Sequence, residues 1–249
     1  MLPFSLFLCY HSSCWTDPFF KVISMSLKQK FDVFVPPYSR LPMISMVLVH
    51  SLAYYATKPI SQKLTHYDIS LPIDAAIPFI PAFSVIYVLA YIQWVAGYIL
   101  ITRDSRELCR RVVTGEIISK LICMALFLLY PTTMARAEIV SDGPFDTLVR
   151  YIYRMDAAEN FFPSIHCLES WVCFRGAMWM KKTGRWYRYF SLLFSLLVFA
   201  STVLIKQHAA VDIIGGILTA EIGQQIARRI ELKGWGNRLF KRDQSGGPL

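Results

Sequence analysis

Long apolar blocks alternate along this chain with short polar stretches that carry most of its lysines and arginines. A membrane-spanning helix needs about 20 predominantly apolar residues, with roughly 17 as the lower limit. Six blocks approach or exceed this length, approximately Leu41–Thr57, Ala76–Thr102, Val113–Tyr130, Ser164–Met180, Tyr189–Ile205 and Ala209–Ala227. The pattern therefore predicts an all-α, polytopic membrane protein built as a six-helix transmembrane bundle.

The blocks divide the chain into three parts. Residues 1–40 form an unassigned N-terminal segment, because its apolar start, Met1–Tyr10, is too short to span and lacks the basic flank of a signal peptide. Residues 41–231 form the six-span domain, and residues 232–249 form a basic cytoplasmic tail. We find no internal repeat and no second domain.

Composition agrees with a membrane location. Hydrophobic residues make up 55% of the chain and charged residues only 17%, against about 25% charged in a soluble domain. The net charge of +9 does not indicate nucleic acid, because the basic residues flank apolar blocks and no nucleic-acid-binding motif is present. The expected partners are the lipid bilayer and a membrane lipid substrate, and no feature sets an oligomeric state.

The lysines and arginines also predict an orientation. With the N-terminus placed in the cytoplasm, 18 of the 26 fall in inside segments and 6 in outside loops, and Lys120 and Arg175 lie within spans. Positive residues accumulate on the cytoplasmic side of membrane proteins. We therefore expect a multi-pass protein of the cell membrane with both termini in the cytoplasm and three loops outside.

Two short stretches carry candidate chemistry. The first, Asn160-Phe-Phe-Pro163-Ser164-Ile165-His166, begins the fourth span. Proline is favoured in the first turn of a helix, and the free N–H groups of a helix start attract phosphate. Ser164 adds a hydroxyl group, and His166 adds a proton carrier.

The second stretch, Ser201 to Asp212, joins the fifth span to the sixth. His208 and Asp212 are four residues apart, so on a helix they share one face. A carboxylate bonded to one imidazole nitrogen fixes the tautomer and leaves the other nitrogen free to attack. Lys206 places a cation beside this nucleophile.

Each of these features has a structural interpretation when it stands alone. A serine can be a helix cap, a lysine at a helix end can be an interfacial anchor, and a His–Asp pair can be an ordinary intrahelical hydrogen bond. The predicted topology, however, makes no use of the histidines, and it places Pro163–His166, Lys206–Asp212 and Arg136 at the same outer face. This convergence favours a phosphate-handling site.

At these residues the chain resembles the type 2 phosphatidic acid phosphatase superfamily of six-helix membrane enzymes, whose motifs are KxxxxxxRP, PSGH and SRxxxxxHxxxD. Pro163–His166 matches the second motif, with Ile165 replacing glycine. Ser201–Asp212 matches the third, with Thr202 replacing arginine. The first matches least: Arg136 is followed by alanine, and Leu129 stands where lysine is usual.

The resemblance implies roles for the matching residues. His208 would be the nucleophile that forms a phosphohistidine, Asp212 would orient it, and His166 would protonate the leaving oxygen and later activate water. Ser164, Arg136 and Lys206 would hold phosphate oxygens, and neither a metal nor another cofactor would be needed.

The resulting expectation is a lipid phosphatase that acts on a phosphomonoester or diphosphate lipid at the outer face. Lys206-Gln207-His208 and the segment Ile77-Pro78-Phe79-Ile80-Pro81 are similar to the inositol phosphorylceramide synthase branch. A lipid phosphotransferase with the same site is therefore the first alternative. A non-catalytic binding or transport member of the same scaffold is the second.

Overall fold

The computed structural model describes residues 26–232 of the 249-residue chain. The predictions for residues 1–25 and for the tail from residue 233 onward lie outside the described residues. The described part is mostly helical. Its α-helices are α1 (Leu27–Phe34), α2 (Pro37–Ser51), α3 (Lys58–Ser61), α4 (Pro72–Ala76), α5 (Ser84–Asp104), α6 (Arg106–Leu129), α7 (Pro144–Met155), α8 (Ile165–Trp179), α9 (Arg185–Leu204) and α10 (Ala210–Leu232).

Short irregular elements complete the secondary structure. A π-helix, Leu52–Ala56, continues α2, and a 3-10 turn, Pro81–Phe83, leads into α5. Two parallel two-residue strands, β1 (Tyr67–Asp68) and β2 (Thr132–Thr133), pair with each other. The sequence pattern predicted neither the strands nor α7. The strands have only two residues each, and α7 is a 12-residue amphipathic helix that does not form a continuous apolar block.

All six predicted spans coincide with helices, but the structure supports fewer of them as membrane spans. Within the described residues, three helical segments are long and apolar enough to cross a membrane, namely Pro81–Asp104, Arg106–Leu129 and Arg185–Leu204. Helix α8 has 15 residues, which at 1.5 Å per residue is about 22 Å against a hydrocarbon core of about 30 Å. Helix α2 and the π-helix together run from Pro37 to Ala56, but they are not among the three segments that are both long and apolar enough. Helix α10 has 23 residues, but Asp212, Glu221, Arg228 and Arg229 interrupt its apolar sequence.

Local sequence explains where the long helices begin. Proline at positions 78 and 81 delays α5 until Ser84, although the apolar block begins at Ala76. Ser105 has an extended backbone and separates α5 from α6, where its hydroxyl accepts the Leu108 N–H at 3.1 Å. Serine is among the preferred N-cap residues, so α6 begins directly after α5 with a single residue between them.

Small residues allow α6 and α10 to approach closely. A Cβ atom added to Gly223 would lie 2.1 Å from the Ser119 hydroxyl, and one added to Gly115 would lie 2.4 Å from the Gln224 side chain. The Ser119 hydroxyl also donates to the Thr219 carbonyl at 3.2 Å. Such small-residue contacts are typical of helices packed in membranes.

The connections between helices collect at two ends of the bundle. At one end, Tyr67 N donates to Pro131 O at 2.9 Å, and the Tyr153 hydroxyl donates to Ile205 O at 2.6 Å. At the other end, the Asp104 carboxylate accepts the backbone N–H groups of Lys181 and Lys182 at 3.0 and 2.8 Å. The candidate chemistry lies at the first end, where α8 begins and α9 turns into α10.

Candidate active site

His208 and Asp212 form a buried imidazole–carboxylate pair. His208 Nδ1 lies 3.1 Å from Asp212 Oδ2, and the same oxygen accepts the Ala209 N–H at 3.0 Å. Asp212 is completely buried in the first turn of α10. Because the carboxylate fixes Nδ1, the opposite ring nitrogen of His208 is available for chemistry.

His166, near the start of α8, faces this pair from a wall of aromatic rings. Its imidazole stacks on Tyr87, with ring centroids 3.9 Å apart, and meets the edges of Tyr91 and Trp94. The ring centroids of His166 and His208 are 6.2 Å apart. Among the described residues, no group hydrogen-bonds to His166 Nε2, so this nitrogen can exchange a proton with a ligand.

Direct contacts between α8 and α10 hold the two histidines together. Ser164 N donates to Asp212 O at 3.3 Å, and the Ser164 hydroxyl caps α8 by accepting the Cys167 N–H at 3.4 Å. A Cβ atom added to Gly216 would lie 2.6 Å from Ser164 O. Only a residue without a side chain permits this approach, so the start of α8 rests on the backbone of α10.

Both histidines line one cavity of about 210 Å³. Sequence reasoning missed its other lining residues, which are His50, Tyr54, Tyr55, Tyr91, Trp94, Phe127, Met155, Asp156, Glu159, Asn160, Phe161 and Ile165. Several of them come from the segment just before Pro163. The polar residues there, Asp156, Glu159 and Asn160, were the available sequence signal.

Lys206 does not line the cavity and is bound elsewhere. Its ammonium group donates to the carbonyl oxygens of Asp74 and Ile77, 2.6 and 2.5 Å away. Lys206 also has a left-handed backbone conformation, with φ 52°. A non-glycine residue keeps such a conformation only where its surroundings determine it, and here the two carbonyl oxygens anchor the side chain.

Arg136 is also absent from the cavity lining. It donates to Tyr153 O at 2.9 Å and Asp156 O at 2.6 Å, and its guanidinium lies 4.4 Å from the centre of the Tyr153 ring. Burial lowers the pKa of the Arg136 guanidinium, while the Asp156 carboxylate acts in the opposite direction. Burial raises the pKa of Tyr153 to about 12. The two hydrogen bonds from Arg136 to the carbonyl oxygens of Tyr153 and Asp156 fix the C-terminal end of α7.

Asp156 and Thr202 brace the segment that carries His208. The Asp156 carboxylate accepts hydrogen bonds from the Tyr54 hydroxyl at 2.5 Å and from the Gln207 amide at 2.7 Å. Thr202, at the position where the resembling motif usually has arginine, accepts the backbone N–H groups of Gln207 and His208 on its carbonyl oxygen at 2.9 and 3.0 Å. The backbone that carries the His208 imidazole is therefore fixed by the contact of Gln207 with Asp156 and by the backbone hydrogen bonds to Thr202.

The described residues contain no group of three or more histidine, cysteine, aspartate or glutamate side chains arranged to hold a metal ion. Their four described cysteines, Cys109, Cys123, Cys167 and Cys173, are free and buried. The chemically distinctive groups of the cavity are therefore its imidazoles and carboxylates.

Comparison with known proteins gives one match. The family model described as PAP2 superfamily matches residues 66–226. This range includes both histidine segments, Arg136 and the loop that binds Lys206. Neither the curated proteins nor the solved structures contain a match to the chain.

Proposed function

The chain belongs to the PAP2 superfamily, and from this membership we propose that it is a membrane lipid phosphatase acting on a phosphomonoester or diphosphate lipid. One observation carries the proposal: His208, which is paired with Asp212 through Nδ1, and His166, whose Nε2 has no hydrogen-bond partner among the described residues, line a single cavity. The ring centroids of the nucleophile, His208, and the proton donor, His166, are 6.2 Å apart, which leaves room for one phosphoryl group between the rings.

The proposed reaction proceeds in two steps. His208 attacks phosphorus with the lone pair of its free nitrogen, and the bond from phosphorus to the lipid oxygen breaks as His166 donates a proton to that oxygen. Asp212 holds the Nδ1 proton and stabilises the imidazole as positive charge develops. In the second step His166 removes a proton from water, which attacks the phosphohistidine and releases inorganic phosphate.

In this proposal the first N–H groups of α8 bind phosphoryl oxygens, as expected for a helix N-terminus. Ser164 was also predicted to bind phosphate, but it is completely buried, its hydroxyl caps α8, and it is not among the residues that line the cavity. Lys206 and Arg136 were predicted to bind phosphate directly. Their side chains instead bind backbone carbonyl oxygens outside the cavity lining. We therefore assign both cations a positioning role, in which they fix the segments that carry His208 and Asp156.

The membrane arrangement is part of the proposal. The three apolar helices support a membrane protein, and we propose that α2, α8 and α10 complete a six-span bundle by packing against them. The segments assigned to the outside by lysine and arginine counts meet at the end that carries the histidines, for example Lys206 with Asp74. This supports a cell-membrane protein with cytoplasmic termini and an outward-facing site.

The size of the cavity bears on how a lipid would bind. Pockets that enclose a whole drug-sized ligand measure roughly 300–1,000 Å³, whereas this cavity measures about 210 Å³. It can hold a phosphorylated headgroup but not acyl or prenyl chains. Three exposed residues line the cavity, namely Tyr55, Tyr91 and Met155. We therefore propose that the acyl or prenyl chains of the lipid remain in the bilayer beside them.

A lipid phosphotransferase of the inositol phosphorylceramide synthase type is the second candidate. The Lys206 ammonium binds the carbonyl of Ile77, which joins the two stretches that resemble this branch. His208 is also only 6% exposed. A phosphohistidine protected from water can pass its group to an alcohol instead.

Phosphate release from a lipid panel separates these functions. Phosphatidic acid, phosphatidylglycerol phosphate, a polyprenyl diphosphate and a phosphorylated sphingolipid are presented in detergent micelles with excess EDTA. Release of inorganic phosphate supports the phosphatase, and a new lipid ester formed only with an added alcohol supports the transferase. Absence of both reactions in folded protein contradicts catalysis and supports a binding or transport member.

A further inference from the structure

His50 is a third histidine in the lining of the cavity, and it comes from α2, far from the other two in sequence. Its Nδ1 lies 3.2 Å from Glu169 Oε1, and 35% of its side chain is exposed. The pair repeats the arrangement of His208 and Asp212: a carboxylate binds one imidazole nitrogen and leaves the other for a ligand.

Glu169 belongs to a buried ionic cluster that extends into the bundle. Lys120 Nζ lies 2.8 Å from Glu169 Oε1 and 2.8 Å from Glu116 Oε1, and Lys120 and Glu116 are completely buried. The Tyr98 hydroxyl donates to the second oxygen of Glu169. The cluster therefore contains two carboxyl groups, Glu116 and Glu169, and one ammonium group, Lys120.

An uncompensated charge inside a protein costs several kcal/mol. Among the ion pairs that the described residues make with this cluster, His50 supplies the one additional base. The contact with Glu169 orients the His50 ring from within the bundle and leaves its other nitrogen at the cavity wall, where a protonated ring would present a positive N–H donor.

Among the described residues, neither a lysine nor an arginine lines the cavity to pair with a phosphate dianion. Lys206 and Arg136 are bound to carbonyl oxygens and do not line it, and Thr202 replaces the usual arginine. Asp156 and Glu159 add carboxyl groups to its lining, and Lys58, which lies outside the lining, pairs with Glu159 at 3.7 Å. A phosphoryl group therefore needs a positive partner, and His50 is suited to that task by chemistry and location.

We infer that His50, oriented by Glu169, is a phosphate-binding residue of this site and takes the place of the missing motif cation. Its outer ring nitrogen donates a charge-assisted hydrogen bond to a phosphoryl oxygen, while Glu169 and Lys120 maintain its orientation from within the bundle. The inference rests on the proposed function for its physiological ligand, but anion binding tests it without turnover.

The experiment measures orthovanadate and inorganic phosphate binding to the detergent-solubilised full chain by titration calorimetry. His50→Gln keeps a donor for Glu169 but removes the positive charge, and it should weaken binding roughly 10- to 100-fold, the loss expected for one hydrogen bond to a charged group. His50→Arg keeps the charge and should retain most of the affinity. His66→Gln is the matched control, because His66 contacts Ser61 and does not line the cavity.

Melting temperatures of the variants show whether each protein is folded. Parental affinity in His50→Gln, an equal loss in His50→Arg and His50→Gln, or no anion binding by the parent would each overturn the inference. If the parent binds orthovanadate in a His50-dependent manner but acts on no lipid, the proposed function fails and the inference stands. If the protein hydrolyses lipid but its anion affinity does not depend on His50, the proposed function stands and the inference fails.

Discussion

Lys206 and Asp74 connect the turn before α10 to the short helix α4 through two hydrogen bonds. The Lys206 ammonium donates to the Asp74 carbonyl oxygen at 2.6 Å, and the Asp74 carboxylate accepts the Ala210 N–H at 2.7 Å. His208 lies between the two attachment points. Lys206 therefore fixes the position of the backbone next to His208, and in the proposed mechanism other groups bind the phosphate.

This relationship predicts coupled losses of activity. Lys206→Ala and Asp74→Ala should each lower kcat/KM by about 10-fold or more, because either change frees the loop that holds the His208 turn. The double variant should lose less than the sum of the two free-energy changes, as expected for residues that share one network. Steady-state kinetics on the four proteins measure this coupling.

Lys181→Ala is the control, since that side chain belongs to the opposite end of the bundle, and it should retain parental kcat/KM. A direct phosphate contact by Lys206 would leave the Asp74→Ala protein nearly as active as the parent. That result would contradict the positioning role.

The covalent step predicts a labelled enzyme. Substrate carrying ³²P should leave acid-labile phosphohistidine on the parent protein in a rapid quench, and His208→Ala should abolish both label and turnover. Asp212→Asn should lower kcat by up to about 10⁴-fold, the loss seen when the carboxylate that orients an imidazole base is replaced. Near-parental activity in folded His208→Ala protein would falsify the assignment.

His166 should differ from His208 in its dependence on the leaving group. His166→Ala should lower hydrolysis of an alkyl phosphate lipid by about 10²–10⁴-fold, the usual contribution of a general acid. An aryl phosphate leaves without strong need of a proton, so it should restore much of the activity to His166→Ala but none to His208→Ala. Equal behaviour of the two variants with both substrates would remove the distinction between nucleophile and acid.

Packing at Gly216 predicts an effect on the site without any change in a polar residue. The added methyl group of Gly216→Ala would lie 2.6 Å from Ser164 O, so the start of α8 must shift and carry His166 with it. Overpacking typically costs 1–3 kcal/mol. We expect a lower melting temperature and a lower kcat.

Gly184→Ala is the control for this substitution, because a Cβ atom added at position 184 meets nothing within 4 Å. Its melting temperature and kcat should stay close to those of the parent. An undisturbed Gly216→Ala protein would show that α8 and α10 can separate at no cost.

The proposed orientation predicts an asymmetric labelling pattern. A cysteine introduced at Pro144, the first residue of α7, should react in intact cells with a membrane-impermeant thiol reagent. A cysteine introduced at Thr183, between α8 and α9, should react only after the membrane is opened. The described native cysteines are buried, so the unmodified protein supplies the background, and the reverse pattern would contradict an outward-facing site.

The sequence by itself determined the helical character of the chain and the pairing of His208 with Asp212. Apolar blocks of helical length specify helices locally, and His208 and Asp212 meet because a four-residue spacing places them on one helix face. The start of α8 was equally predictable, since Ser164 acts as the N-cap within its own segment. Each of these features depends on residues close together in the chain.

Only the tertiary structure decided which charged groups reach the cavity. Lys206, Arg136 and His50 all carry basic side chains, and their sequence neighbours do not show that two of them bind backbone carbonyls while the third lines the site. His50 and Glu169 are 119 positions apart and meet because α2 and α8 pack in the same bundle. A long basic side chain binds whichever acceptor the fold brings within reach, and helix packing sets that choice.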